Sequence, residues 1–274
     1  MELKAIDVWA QITSEQMQAA PWLATLNRWT DPEGKRPLPT AESTVAAMDA
    51  AGVAISFLSA WHGPEGPLMS NASVAKHLEA YPDRFRGLAS ADLRRPMEAV
   101  RELREYVDGK SFVGVRVVPW LWDLPPNDRR YYPIYAACID LGVPFCLQIG
   151  HTGPLMRSET GRPIPYLEDV LLDFPELKIV GGHVGFPWID ELISLTIKFP
   201  NFFVDTSAYA VHRLPTSFVS YMKELGSDRV MFGTNWPMLS PLQCLRQLDK
   251  LELTQQQEDA FLFENARRVF NLVA

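Results

Sequence analysis

The chain has 274 residues, 47% of them hydrophobic, and a formal net charge of −7. That length suits one large domain, since a single α/β barrel takes about 250 residues, and the apolar share is that of a globular protein with a real core. The acidic balance argues against nucleic acid and anionic membrane as partners, and no apolar run approaches the ~20 residues of a membrane helix.

Eight apolar or β-rich runs alternate with helical patterns. Strands are expected over Leu3–Ile12, Val53–Trp61, Phe85–Asp92, Phe112–Trp120, Pro144–Ile149, Leu177–His183, Phe202–Ser207 and Arg229–Thr234. Between them, apolar residues recur at three and four, as in Ser43–Ala51, Val74–Tyr81, Pro96–Val107 and Tyr132–Leu141. Such alternation makes a parallel sheet with right-handed crossovers. Eight units close most simply into one α/β domain, a TIM-like (β/α)8 barrel over residues 1–274. An open doubly wound sheet is the rival. It would carry a Gly-rich phosphate turn after its first strand, and Trp9-Ala10-Gln11-Ile12-Thr13 is not one. Two loops are long, residues 13–40 and 120–131; they serve as lids or subunit contacts, or pack over the barrel mouth. The tail, Gln255 to Val273, reads as helices closing the bottom or side of the barrel. Cys138, Cys146 and Cys244 are odd in number, far apart and set in apolar runs, which fits buried free thiols in a reducing cytoplasm. The start, Met1-Glu2-Leu3-Lys4, has no signal-peptide shape, so a cytoplasmic protein is expected.

The stretch that organises the rest is Gly181-Gly182-His183-Val184-Gly185-Phe186-Pro187-Trp188. It reads as a strand end, a Gly-rich turn and a helix start, with glycines suited to close approach or positive φ and Pro187 suited to a first helical turn. One imidazole is thereby held at the mouth of a βα unit, where barrels of this kind place catalytic groups. His183 is the first candidate for general acid or base; the rival is a histidine that caps or packs. Arg116 sits inside an apolar strand, where a charge is costly unless paired or solvated. It anchors a substrate carboxylate or carbonyl, or forms a buried ion pair with Asp7 or Asp92. Asp205 orients His183 or caps a turn, and Asn235 ends the eighth strand as a hydrogen-bonding amide. Strand alternation puts Asp7, Trp9 and Gln11 on one face, and Cys146, Gln148 and Gly150 on another strand's face. Of the five histidines, His62, His151, His183 and His212 all follow strands, whereas His77 lies mid-helix. No Ser-His-Asp elbow or phosphate loop is present.

These residues resemble the amidohydrolase superfamily, in the branch that contains aminocarboxymuconate semialdehyde decarboxylase and related aromatic-acid decarboxylases and lactonases. The resemblance spans nearly the whole chain: Ile6-Asp7-Val8, Pro144 to Gly150, Gly182-His183-Val184-Gly185 with Pro187-Trp188, Phe232-Gly233-Thr234-Asn235-Trp236-Pro237, and Asn265 to Phe270. The family's metal ligands are replaced. Its first-strand His-x-His pair falls on Trp9 and Gln11, its fifth-strand histidine on Gln148, and its eighth-strand aspartate on Asn235. Only His183 survives, at the position that the resemblance makes acid/base or hydrogen-bond donor. Transition-metal sites want imidazole and carboxylate, so a metal here is not expected, nor any other cofactor. Gln11, Gln148 and Asn235 are expected to converge as a neutral cluster, with Trp9 filling part of the volume of the metal and its water. Trp61 and His151 are expected to join these four at the substrate.

Three readings follow. The first is a metal-independent hydrolase or lyase, decarboxylase- or lactonase-like, on a small carboxylated substrate, with His183, Arg116 and Asp205 as its catalytic set. The second is a non-catalytic barrel that binds a ligand or supports a paralogous amidohydrolase subunit. The third is a metalloenzyme whose site has moved to His151, His183, His62 or His212. The resemblance also implies a homodimer.

Overall fold

β-Branched and aromatic residues gather in short runs, and each run forms a strand of the computed structural model, which describes residues 4–34 and 37–272. The strands are β1 (Ala5–Ala10), β2 (Val53–Ser59), β3 (Trp61–Gly63), β4 (Gly66–Met69), β5 (Phe85–Ala89), β6 (Phe112–Arg116), β7 (Phe145–Gln148), β8 (Ile179–Gly182), β9 (Phe202–Asp205) and β10 (Val230–Met231). Eight of them pair in parallel, in the order β1-β2-β5-β6-β7-β8-β9-β10. The seam closes just beyond β10: Val8 N–H donates to Phe232 O at 3.0 Å, Asn235 N–H donates to Trp9 O at 2.8 Å, and Ala10 bridges Trp236. Helices such as Ala41–Ala51, Asn71–Ala80, Pro96–Tyr106, Tyr132–Leu141 and Ile189–Lys198 return the chain between strands. The fold is a (β/α)8 barrel, as the alternation of patterns predicts.

Ile6, Val8, Phe57, Leu88, Val113, Cys146, Val180, Phe203 and Met231 pack together with Ala266, Val269 and Phe270 of the C-terminal helix. Phe270 meets Phe57 edge-on at 4.7 Å, so the tail plugs one end of the barrel. A larger apolar layer lies between sheet and helices. All three cysteines are buried and unpaired. Among the described residues no helix is long and apolar enough to cross a membrane. Leu3 and Val273, the outer ends of two expected elements, lie outside the described residues, as do Met1 and Glu2 of the expected leaderless start and Lys35 and Arg36 of the first long loop.

The strands are shorter than the apolar runs that mark them. The second run stops at Ser59, and the chain then folds into the β3–β4 hairpin, an element the sequence reading lacks. The fourth stops at Arg116 because Pro119 opens a helical turn, Pro119–Trp122, where a proline without N–H is tolerated. The eighth shrinks to two residues because Phe232 N–H turns to Phe261 O in the tail at 3.0 Å. The sixth ends at Gly182. His183 (φ 74°) and Val184 (φ 50°) then enter the left-handed region, so the positive φ expected of the glycines falls first on the histidine.

Gly182 serves a different purpose. A Cβ there would lie 2.6 Å from the Trp9 ring, so the glycine is the floor on which the indole rests. Gly182→Ala should therefore overpack this contact and lower stability by ~1–3 kcal/mol. Denaturant unfolding measures the loss, and Trp9→Leu in the same chain should recover part of it. A neutral Gly182→Ala would rule the contact out.

Candidate active site

A cavity of about 540 Å³ opens at the C-terminal ends of the strands. Trp9, Gln11, Gln148, His183 and Asn235 contribute to its base, and Trp61, Trp120 and His151 stand along its side. The long first loop covers it with short helices, bringing Met17, Trp22, Leu23, Leu26 and Trp29 to the wall. Trp22 meets Trp120 edge-on at 5.2 Å, and Trp61 lies 6.0 Å from Trp120. Of the sequence-predicted site residues, Trp9, Gln11, Trp61, Gln148, His151, His183 and Asn235 all line this cavity. Arg116 and Asp205 do not; they lie buried behind it.

Arg116 closes β6 and is 1% exposed. Its Nη2 donates to Gln11 Oε1 at 3.0 Å, and its guanidinium carbon sits 4.3 Å from the Trp9 ring centre and 5.2 Å from that of Trp61. Cation–π attraction of this kind is worth ~0.5–2 kcal/mol. Neither expected ion pair forms. Asp92 pairs with Arg94 at 3.1 Å, and Asp7 accepts from Thr234 Oγ1 at 2.6 Å and Thr234 N–H at 2.9 Å. Burial draws the Arg116 pKa down to about 9, against the pull of Cys146, Asp205 and Asp7.

The amides do not form one cluster. Gln11 Nε2 donates to Asn235 Oδ1 at 3.1 Å and to Trp236 O, so Gln11 and Asn235 are joined. Gln148 stands apart: its Oε1 accepts Trp120 Nε1 at 2.6 Å, and its Nε2 donates to His151 O at 3.0 Å. Trp120 was legible only as an apolar residue ending a run, because its partner is 28 positions away.

His183 does not touch Asp205 through its ring. Its Nδ1 lies 2.6 Å from Ser207 Oγ, and Asp205 Oδ1 accepts Ser207 N–H at 2.8 Å. Ser207 is a functional candidate that the sequence reading passed over, although it stands two residues beyond Asp205. Burial, helped by the Arg116 charge, pushes the His183 pKa down to about 3. Burial pushes Asp205 up to about 7, against hydrogen bonds from the Ser207 side chain and N–H and the Arg116 charge. Asp7 is likewise raised to about 7 by burial, opposed by its bonds to Thr234 and Trp9.

The other histidines do not assemble. His62 stacks on Trp122 at 5.9 Å, His151 Nδ1 lies 3.3 Å from Ser158 Oγ, and His212 is exposed on a short turn. Among the described residues no group of three or more His, Cys, Asp or Glu could hold a metal ion, so a relocated site from these histidines is not assembled. The family position fits a metal no better. Gln11 Oε1 is taken by Arg116, Gln148 Oε1 by Trp120 and Asn235 Oδ1 by Gln11, while an indole at position 9 has no lone pair to give. A dication there would also face a buried guanidinium.

A (β/α)8 barrel with a cavity at its strand C-termini, built around one turn-borne histidine, is the architecture of a barrel enzyme. The chain belongs to the amidohydrolase family, whose model matches residues 6–272. It is 28% identical over 255 residues to a gamma-resorcylate decarboxylase of Rhodococcus jostii, covering 74% of this chain and 75% of that one. It is 23% identical to a 2-keto-4-carboxy-3-hexenedioate hydratase of Sphingobium, over 73% of this chain and 70% of the relative. An uncharacterised TIM-barrel protein from Bordetella bronchiseptica superposes with a TM-score of 0.83 at 27% identity, over 98% and 99% of the two chains. A dihydroxybenzoic acid decarboxylase from Polaromonas, with bound manganese and 2-nitroresorcinol, shares the fold at a TM-score of 0.75 and 19% identity, over 99% and 97%. The chain is an enzyme of this superfamily, in company with carbon–carbon lyases.

The buried groups set opposite pH dependences. Between pH 6.5 and about 3 an unfolded His183 binds a proton that the native one refuses, so stability falls on acidification through that window. Between 3.8 and about 7 native Asp7 and Asp205 hold protons that the unfolded chain has released. Their contribution is full at acid pH and is lost as pH rises through about 7. Imidazole NMR should accordingly show His183 neutral from pH 8 down to about 4; a midpoint near its ordinary 6.5 would contradict its environment.

Proposed function

We propose that the protein is a metal-independent lyase or hydrolase, most closely a decarboxylase, acting on a small carboxylated aromatic molecule with His183 handling the proton. The observation that carries the metal-independent part is the occupation of all three amide oxygens at the family's metal position by protein donors. The substrate class comes from the relatives, several of which are named as decarboxylases of dihydroxybenzoates. The indole walls suit a flat ring, since offset and edge-on aromatic contacts are favourable.

In decarboxylation the bond from ring to carboxylate breaks, the electron pair stays on the ring carbon, and a proton joins that carbon as CO2 leaves. Among the described residues no Lys or Arg lines the cavity. A carboxylate entering it exchanges water for indoles and amides, and no lysine or arginine among the described lining residues pairs with it. Loss of CO2 disperses that charge, so such surroundings favour the transition state over the bound acid. Asn235 gives its Oδ1 to Gln11 and keeps Nδ2 to donate to a substrate oxygen. Arg116 acts from behind, fixing Gln11 and hence Asn235, while burial, helped by its charge, keeps the His183 imidazole neutral.

The test is CO2 release from 2,6-dihydroxybenzoate and its close analogues. Purified protein should carry no stoichiometric zinc or manganese and should lose nothing to a chelator. His183→Ala should cost ~10²–10⁴-fold in turnover, the usual worth of a positioned acid or base. Turnover that requires added metal, or that ignores His183→Ala, would overturn the reading.

A further inference from the structure

Neutral His183 is a poor proton source by itself, and two buried groups stand behind it unused. Ser207 Oγ lies 2.6 Å from His183 Nδ1, Asp205 Oδ1 accepts the Ser207 N–H at 2.8 Å, and the Ser207 hydroxyl also hydrogen-bonds the Asp205 carboxyl. Asp205 Oδ2 is buried without a partner among the described residues. Neither Asp205 nor Ser207 lines the cavity, and neither is exposed. Their packing depends on Gly233, where a Cβ would lie 2.9 Å from Asp205 Oδ1 and 3.1 Å from Ser207 Cβ. Close serine, imidazole and carboxyl groups here serve no nucleophile, because the serine is sealed off from the ligand.

We propose that Ser207 is the positioning residue that couples His183 to Asp205, making the three a proton wire from a buried carboxyl to the cavity. This rests on the role of His183 proposed above. The transfer balances. The Asp205 proton passes to Ser207 Oγ, the Ser207 hydroxyl proton passes to His183 Nδ1, and the proton on Nε2 passes to the substrate carbon as its bond to carboxylate breaks. Three bonds to hydrogen break and three form. The imidazole is neutral before and after, having exchanged tautomer, and no imidazolium is required. Asp205 ends as carboxylate and is reset by a proton from water along the same path. Its raised pKa, about 7, lets it store that proton near neutrality. The charged and titratable groups facing it are Arg116 from β6, which favours its anion, and Asp7 from β1 and Cys146 from β7, which feel its charge.

The experiment follows the His183 ring nitrogens by ¹⁵N NMR of the intact protein between pH 5 and 9. The Nδ1 resonance should show a step near pH 7 as Asp205 titrates behind Ser207. Ser207→Ala and Asp205→Asn should each abolish the step, and Ser207→Thr, which keeps the hydroxyl, should retain it. On any substrate that turns over, Ser207→Ala should lower kcat about 10²-fold with KM little changed. A step that survives in Ser207→Ala would overturn the coupling whatever the activity. Unaltered turnover in His183→Ala would instead overturn the proposed function and leave the spectroscopic coupling standing.

Discussion

The mouth of this barrel depends on one buried guanidinium. Among the described residues Arg116 has a single hydrogen bond, to Gln11, and the faces of two indoles for company. Burying a charge is costly, and its Nε and Nη1 have no partner among the described residues. The surroundings compensate in kind: Trp9 and Trp61 offer electron-rich faces, and Gln11 turns its carbonyl inward rather than toward the cavity. Each arrangement then constrains the next. Gln11 turned inward must donate outward, which ties it to Asn235 and to the Trp236 carbonyl. Trp9 laid over the cation needs a bare backbone beneath it, supplied by Gly182.

The same charge sets the chemistry. It stands near enough to keep His183 deprotonated and to favour the Asp205 anion, although burial still dominates both groups. The site thus holds a positive charge at neutral pH without exposing it to the ligand. A structural neighbour holds manganese together with 2-nitroresorcinol; here the cation is a sealed guanidinium, and the amides of Gln11 and Asn235 carry its influence forward.

Much of the barrel was legible because the physics is periodic. Parallel strands buried on both faces read as continuous apolar runs, and the helices between them show their stripe. The strand ends were not legible. Apolar runs such as Arg116 to Trp120 continue into turns that are buried under the first long loop, so hydropathy does not fall where pairing stops. The site was legible as a set of positions rather than as a network. Seven of nine chosen residues face the cavity, yet Gln148 is held by Trp120, and His183 by Ser207, through contacts set by tertiary packing. Nothing in the spacing of Gln148 and Trp120 announces that bond. Ser207 could have been found, since it lies two residues beyond Asp205 in a β run.

The seating of Trp9 on Gly182 restricts which substitutions the site tolerates. A histidine restored at position 9 would leave a void above the glycine and strip the guanidinium of its stacking partner. A histidine restored at 148 would abandon the indole N–H of Trp120. A single change toward a metal-binding set at either position therefore passes through a poorer protein, and packing alone acts as a ratchet against it.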